Sequence, residues 1–107
     1  MRILEPEFVH QDNRRKLTQL ITDDIKQVNV YHAQRGASLG DHFHKKTTEY
    51  FYLIKGSIIY NDNTLISRGT LFVVNPEERH KIECLTDVSF LSFLTKPYTK
   101  EDPDIYA

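Results

Sequence analysis

The stretch Gly36-Ala37-Ser38-Leu39-Gly40-Asp41-His42-Phe43-His44-Lys45-Lys46-Thr47-Thr48-Glu49-Tyr50-Phe51-Tyr52-Leu53-Ile54-Lys55-Gly56 decides how this chain is read. Two histidines stand two residues apart, and a glutamate follows five residues later. On an extended strand residues i and i+2 project from one face, so the spacing predicts that His42 and His44 share a side while Phe43 points away into the core. The polar run at 45–48 can turn the chain back. Glu49 then opens a second strand, with Phe51 and Leu53 on its face as an apolar pocket wall. Tyr50, Tyr52 and Ile54 take the opposite face, where packing at a subunit contact is expected.

A third histidine, His80, arrives 31 residues after Glu49, at the start of another strand beyond Pro76. Three imidazoles and one carboxylate suit borderline divalent ions such as Zn, Mn, Fe, Ni or Co. Without an ion or hydrogen-bond partners, four such groups meeting in a core would be costly. His42, His44, Glu49 and His80 are therefore the expected ligands of one divalent metal ion.

Around this centre the chain alternates short apolar runs with turn residues. Strands are predicted over 26–34, 42–44, 50–55, 57–60, 64–66, 70–74, 80–84 and 89–94, separated by Gly36, Gly40, Gly56, Asn61-Asp62-Asn63, Arg68-Gly69, Asn75-Pro76 and Thr86-Asp87. Such spacing indicates an all-β sandwich or barrel. Residues 11–20 read as a loop or a short turn, and the tail after Leu94 as an ordered or semi-ordered segment rather than a strand. A chain of 107 residues accommodates one domain.

Net charge is −1, with 27% charged and 39% hydrophobic residues. That balance gives no basic excess for nucleic acid or an anionic membrane surface. No stretch approaches a membrane-spanning length. The first residues lack the basic-then-apolar order of a signal peptide. Cys84 has no second cysteine to pair with, which fits a reducing, cytoplasmic setting.

The arrangement resembles the cupin superfamily, whose first motif is G(X)5HXH(X)3,4E(X)6G. Gly36, His42, His44, Glu49 and Gly56 match every element. The second motif, G(X)5PXG(X)2H(X)3N, keeps its spacing from Gly69 to His80, but Asn75, Glu77 and Cys84 replace its proline, glycine and asparagine. The resemblance implies a cupin-type double-stranded β-helix, a jelly-roll barrel spanning about 25–95 of a single domain, 1–107, with a tail at 96–107. It also implies a metal held by the four residues, and the family's habit implies a homodimer.

The flanks carry a second resemblance. Asp24-Ile25-Lys26-Gln27-Val28-Asn29-Val30, Lys46-Thr47-Thr48-Glu49-Tyr50-Phe51 and the tail at 100–106 look like the cupins of sugar-nucleotide metabolism: dTDP-4-dehydrorhamnose epimerases, dTDP-sugar 3,4-ketoisomerases and the cupin domain of capsular-polysaccharide reductases. This implies an enzyme that isomerises or epimerises a sugar or sugar nucleotide, with His42 and Glu49 as acid/base groups. Where those relatives carry an arginine that meets a phosphate, this chain has Leu39. Gln27, Asn29 and Tyr31 share one unusually polar strand face and, with Phe51, are expected to meet a carbohydrate-like substrate. Val28 and Val30, opposite, are expected to pack against an outer layer or a partner, and His32 beside them to be structural. His10 is expected to be solvated, Lys45 and Lys46 to form a solvated loop, and Cys84 to be an inert core filler, while Arg79 suits either a substrate acid or the surface. A metal-dependent dioxygenase and a non-catalytic small-ligand-binding barrel are the competing readings.

Overall fold

The computed structural model describes residues 1–107 and contains eleven strands: β1 Arg2–Leu4, β2 Phe8–Gln11, β3 Lys16–Gln19, β4 Gln27–Ala33, β5 Ser38–His42, β6 Glu49–Lys55, β7 Ser57–Tyr60, β8 Thr64–Ser67, β9 Leu71–Val74, β10 His80–Cys84 and β11 Val88–Leu94. All pair antiparallel. One sheet has the order β1-β9-β6-β11-β4, a second β5-β10-β7-β8, and β2 pairs with β3 alone. No helix is long and apolar enough to cross a membrane.

Period-two patterning builds the two larger sheets. Buried and half-buried positions alternate strictly along β10 and β11, and along β6 up to Leu53. The inward set of the five-stranded sheet is Phe51, Leu53, Phe72, Val74, Val88 and Phe90, and it meets Ile58, Tyr60, Ile66, Ile82 and Cys84 from the four-stranded sheet. Phe51 stacks on Phe72 at 4.9 Å between ring centres, an offset aromatic pair that fills the gap between the layers. Cys84 is thus a core filler, as expected of a buried thiol.

Three features depart from the sequence reading. Residues 11–20 are not a loop: Phe8–Gln11 and Lys16–Gln19 form a hairpin whose turn is closed by Asp12, its carboxylate accepting from the amides of Arg14 and Arg15. Seven of the eight strand residues are exposed, so the hairpin has no buried face to betray it in the sequence. Second, β5 runs from Ser38 to His42 and ends before His44; Gly40 and Asp41 within it take positive φ, 81° and 69°, where the pairing with β10 bulges, and His44 lies in the loop that follows. Third, Phe43 is half-buried and outside the core; it pairs with Tyr106 of the tail through two backbone hydrogen bonds and a stack at 5.5 Å.

Candidate functional site

The candidate site lies where three strand ends and one loop meet. His42 ends β5, Glu49 begins β6, His80 begins β10, and His44 sits in the loop between the first two. His42 and His80 are directly opposed in the β5–β10 ladder, and the register shifts just after His80. Gly40 makes this approach possible. A Cβ there would lie 3.2 Å from the His80 carbonyl and 3.6 Å from its ring, on a backbone few side chains adopt.

The four groups converge. Ring centres are 4.5 Å apart for His42 and His80, 5.0 Å for His42 and His44, and 5.2 Å for His44 and His80. One nitrogen from each ring lies within 4.8 Å of the other two, so the three histidines could hold one metal ion. Glu49 Oε1 is 3.2 Å from His44 Nε2 and 3.6 Å from His80 Nε2. His44, Glu49 and His80 are buried, and His42 is half-buried.

Electrostatics separates the three rings. Burial pushes His80 down to about 4. Burial, followed by the neighbouring His44, also lowers His42. For His44 burial opposes charge too, but the hydrogen bond to Glu49 and the Asp104 carbonyl outweigh it and raise the value. At neutral pH His42 and His80 thus carry free lone pairs.

The tautomer of His44 follows from its second contact. Nδ1 lies 2.7 Å from the backbone oxygen of Asp104, which can only accept, so Nδ1 carries a proton and donates it. If that ring is neutral, its Nε2 turns a bare lone pair toward a carboxylate oxygen. Only a positive charge in the gap, a proton or a metal ion, makes that contact favourable. Nδ1 of His80 is buried without a partner. Lone pairs from imidazoles and a carboxylate, aimed at one point, fit a borderline divalent ion.

Two cavities open from the cluster. An inner one of about 70 Å³ is walled by Leu39, Gly40, Phe51, Ile82 and Phe90. An outer one of about 310 Å³ is bordered by Gln27, Asn29, Leu94, Tyr98 and Ile105. Tyr31, His42 and Glu49 line both. Gln27, Asn29, Tyr31 and Phe51 therefore all face the cavities. Gln27 also organises the rim: its Nε2 donates to Asn29 Oδ1, and its Oε1 accepts from the amide of Tyr98. Tyr31 stacks on Phe90 at 4.6 Å, and burial, then the charge of Glu49, raises its pKa. No lysine or arginine lines either cavity. Arg79 is occupied by Asp41, which accepts at 3.0 Å through its carboxylate. His10 is exposed beside Asp12, and His32 bonds Ser89 on the outer surface.

Sequence reasoning missed three contributors, all from the tail: Tyr98, Ile105 and Asp104. The Asp104 carboxylate accepts from the backbone amides of Lys45, Lys46 and Thr47 and from the Thr47 hydroxyl. Nothing local in the sequence signals a contact between residues 57 to 60 positions apart.

No protein-family model and no curated protein matches the sequence. Among solved structures the chain is similar to QdtA, a sugar 3,4-ketoisomerase from Thermoanaerobacterium thermosaccharolyticum, with a TM-score of 0.78 and 18% identity over 97% of this chain and 85% of that one. It is similar to the rmlC epimerase of Mycobacterium tuberculosis, with a TM-score of 0.73 and 17% identity over 94% and 70%. It also resembles the capsular polysaccharide assembling protein CapF from Staphylococcus aureus, with a TM-score of 0.66 and 23% identity over 99% of this chain and 32% of that one. The chain thus spans about a third of the CapF chain it matches. These likenesses show the cupin-type jelly-roll fold that the motif spacing implied.

Proposed function

We propose that this cupin-fold chain is a cytoplasmic isomerase or epimerase acting on a keto sugar, free or carried on a nucleotide, at a divalent metal centre held by His42, His44, Glu49 and His80. The observation that carries the reading is the pair of cavities lined jointly by His42, Glu49 and Tyr31, with the amides of Gln27 and Asn29 at the outer one and Phe51 in the inner one. Two of the structural likenesses are to enzymes named for such reactions. An outer volume of about 310 Å³ lies at the small end of ligand pockets.

Moving a carbonyl or inverting a centre beside it requires removing the proton on the adjacent carbon, parking the electron pair on the carbonyl oxygen as an enolate, and returning a proton at the new position. A divalent ion in the centre supplies positive charge for that oxygen. Two groups of this chain can hold the proton when released from the ion: the Glu49 carboxylate and the neutral imidazole of His42. Tyr31, with its raised pKa, stays protonated at neutral pH and donates a hydrogen bond to a sugar oxygen. Gln27 and Asn29 receive hydroxyls, and Phe51 closes the apolar wall. Because no cation lines the cavities, they suit the sugar ring, and any nucleotide lies outside them.

The partner is a second copy of the chain. Val28 and Val30 on the outer sheet face are 55% and 59% exposed, and Ile54 on the same sheet is 48% exposed. The hairpin β2–β3 adds exposed Phe8 and Val9.

Deuterium wash-in tests the chemistry directly. Incubated in heavy water with a panel of keto sugars and their dTDP and UDP forms, the protein is expected to catalyse exchange at the carbon beside the carbonyl. Glu49→Gln or His42→Asn abolishes it, according to which group is the base. Absence of exchange across the whole panel, with sugar binding intact, would reject the isomerase and leave a binding barrel.

A further inference from the structure

The geometry points to Asp104 as the positioning residue of His44, a role that rests on the reading of the histidine cluster as a cation centre. Asp104 is 1% exposed, although it lies three residues from the end of the sequence given. Its two carboxylate oxygens take up four donors: the amides of Lys45, Lys46 and Thr47 at 2.9 Å each and the Thr47 hydroxyl at 2.7 Å. Three successive amides aimed at one anion form a nest, and the anion here is built into the chain. Its own backbone oxygen is turned the other way, onto His44 Nδ1. Asp104 achieves both contacts at once only by adopting φ 53°, an uncommon conformation for a residue with a side chain.

The arrangement couples loop and ring. The carboxylate fixes residues 45–47 immediately after His44, and the carbonyl fixes the ring's rotation and keeps the proton on Nδ1. Nε2 is thereby presented toward Glu49 and the cluster. Metal-binding histidines commonly need such a partner on the distal nitrogen, and its loss weakens binding ten- to a hundredfold. A neighbouring contact supports the clasp: Tyr106 pairs with Phe43.

The test uses the full chain labelled with ¹⁵N-histidine and stripped of metal, above neutral pH, where long-range proton–nitrogen spectra report which ring nitrogen is protonated. Wild-type His44 is expected to keep its proton on Nδ1, as the Nδ1–H tautomer or as the imidazolium. Asp104→Asn, which keeps the size but loses the charge that gathers the amides, is expected to give a mixed tautomer and a ten- to hundredfold loss of Zn²⁺ affinity. Thr47→Val, which removes one of the four donors, shifts both readouts less and in the same direction, and serves if Asp104→Asn does not fold. Asp102→Ala, which removes surface ion pairs with Lys46 and Lys96 but no contact of Asp104 or His44, leaves both unchanged. An Nε2–H tautomer in the wild type, or an unchanged tautomer in folded Asp104→Asn, would overturn the assignment. Failure of the wild type to bind Zn²⁺ would instead reject the cation centre, and the tautomer would still decide the role of Asp104.

Discussion

His80 sits 3% exposed in the barrel mouth, its ring pushed down to about 4 against an ordinary 6.5. Between those values the unfolded chain binds a proton that the folded one refuses. Stability from this group is therefore fully present above about pH 6.5 and is lost as pH falls toward 4. The shift corresponds to on the order of 3 kcal/mol. The raised value of His44 works in the opposite sense, so the comparison with His80→Gln isolates His80. Urea midpoints of metal-free protein are expected to fall between about pH 7 and about pH 5, and more steeply in the wild type than in His80→Gln. Equal slopes in the two proteins would contradict the assignment. At this scale the site was largely legible. His42, His44 and Glu49 come from one short segment, so they start close together, although His44 joins the cluster from the loop and not from the strand face that the spacing predicted. Asp104 was not legible, because a carboxylate that caps amides 57 to 59 residues earlier leaves no periodicity.

At the scale of elements, turns decide what packs. The corner between β6 and β7, where the chain passes from one sheet to the other, pivots on Gly56, whose φ is 88° and whose missing Cβ makes room for the Asp87 carbonyl and the Thr86 hydroxyl. Gly56→Ala adds the left-handed conformational cost of about 1 kcal/mol and that collision. Chemical denaturation is expected to show a loss well above that figure, whereas a loss of only about 1 kcal/mol would mean the neighbouring turn yields freely. Gly40→Ala acts on the site instead, displacing the His80 backbone. It should weaken Zn²⁺ binding measured by calorimetry more than it lowers the melting temperature. β6, β10 and β11 were readable because each alternates against a core, and β9 because it is a short, wholly apolar run. β2 and β3 were not, since a strand pair exposed on both faces carries no such alternation, and its Asp12-Asn13-Arg14-Arg15 turn reads as loop.

For the whole molecule, the four residues of the proposed cation centre bring together parts that no single strand unites: β5 and β10 of one sheet, β6 of the other, and a loop held by the tail. Bound metal should therefore raise the melting temperature of the entire barrel in proportion to the logarithm of its concentration. The exposed outer face carries a separate expectation. Light scattering should give twice the 12.6 kDa chain mass, and Val30→Asp should return the monomer with its cation centre intact. A monomeric wild type would contradict the second-copy partner and leave the site untouched. The cation centre itself is tested most directly by elemental analysis of protein purified without a histidine tag or chelator. Near one equivalent of a single divalent transition metal is predicted in the wild type, and none in His42→Ala. A metal-free wild type that takes up none on addition, or equal metal content in His42→Ala, would contradict it.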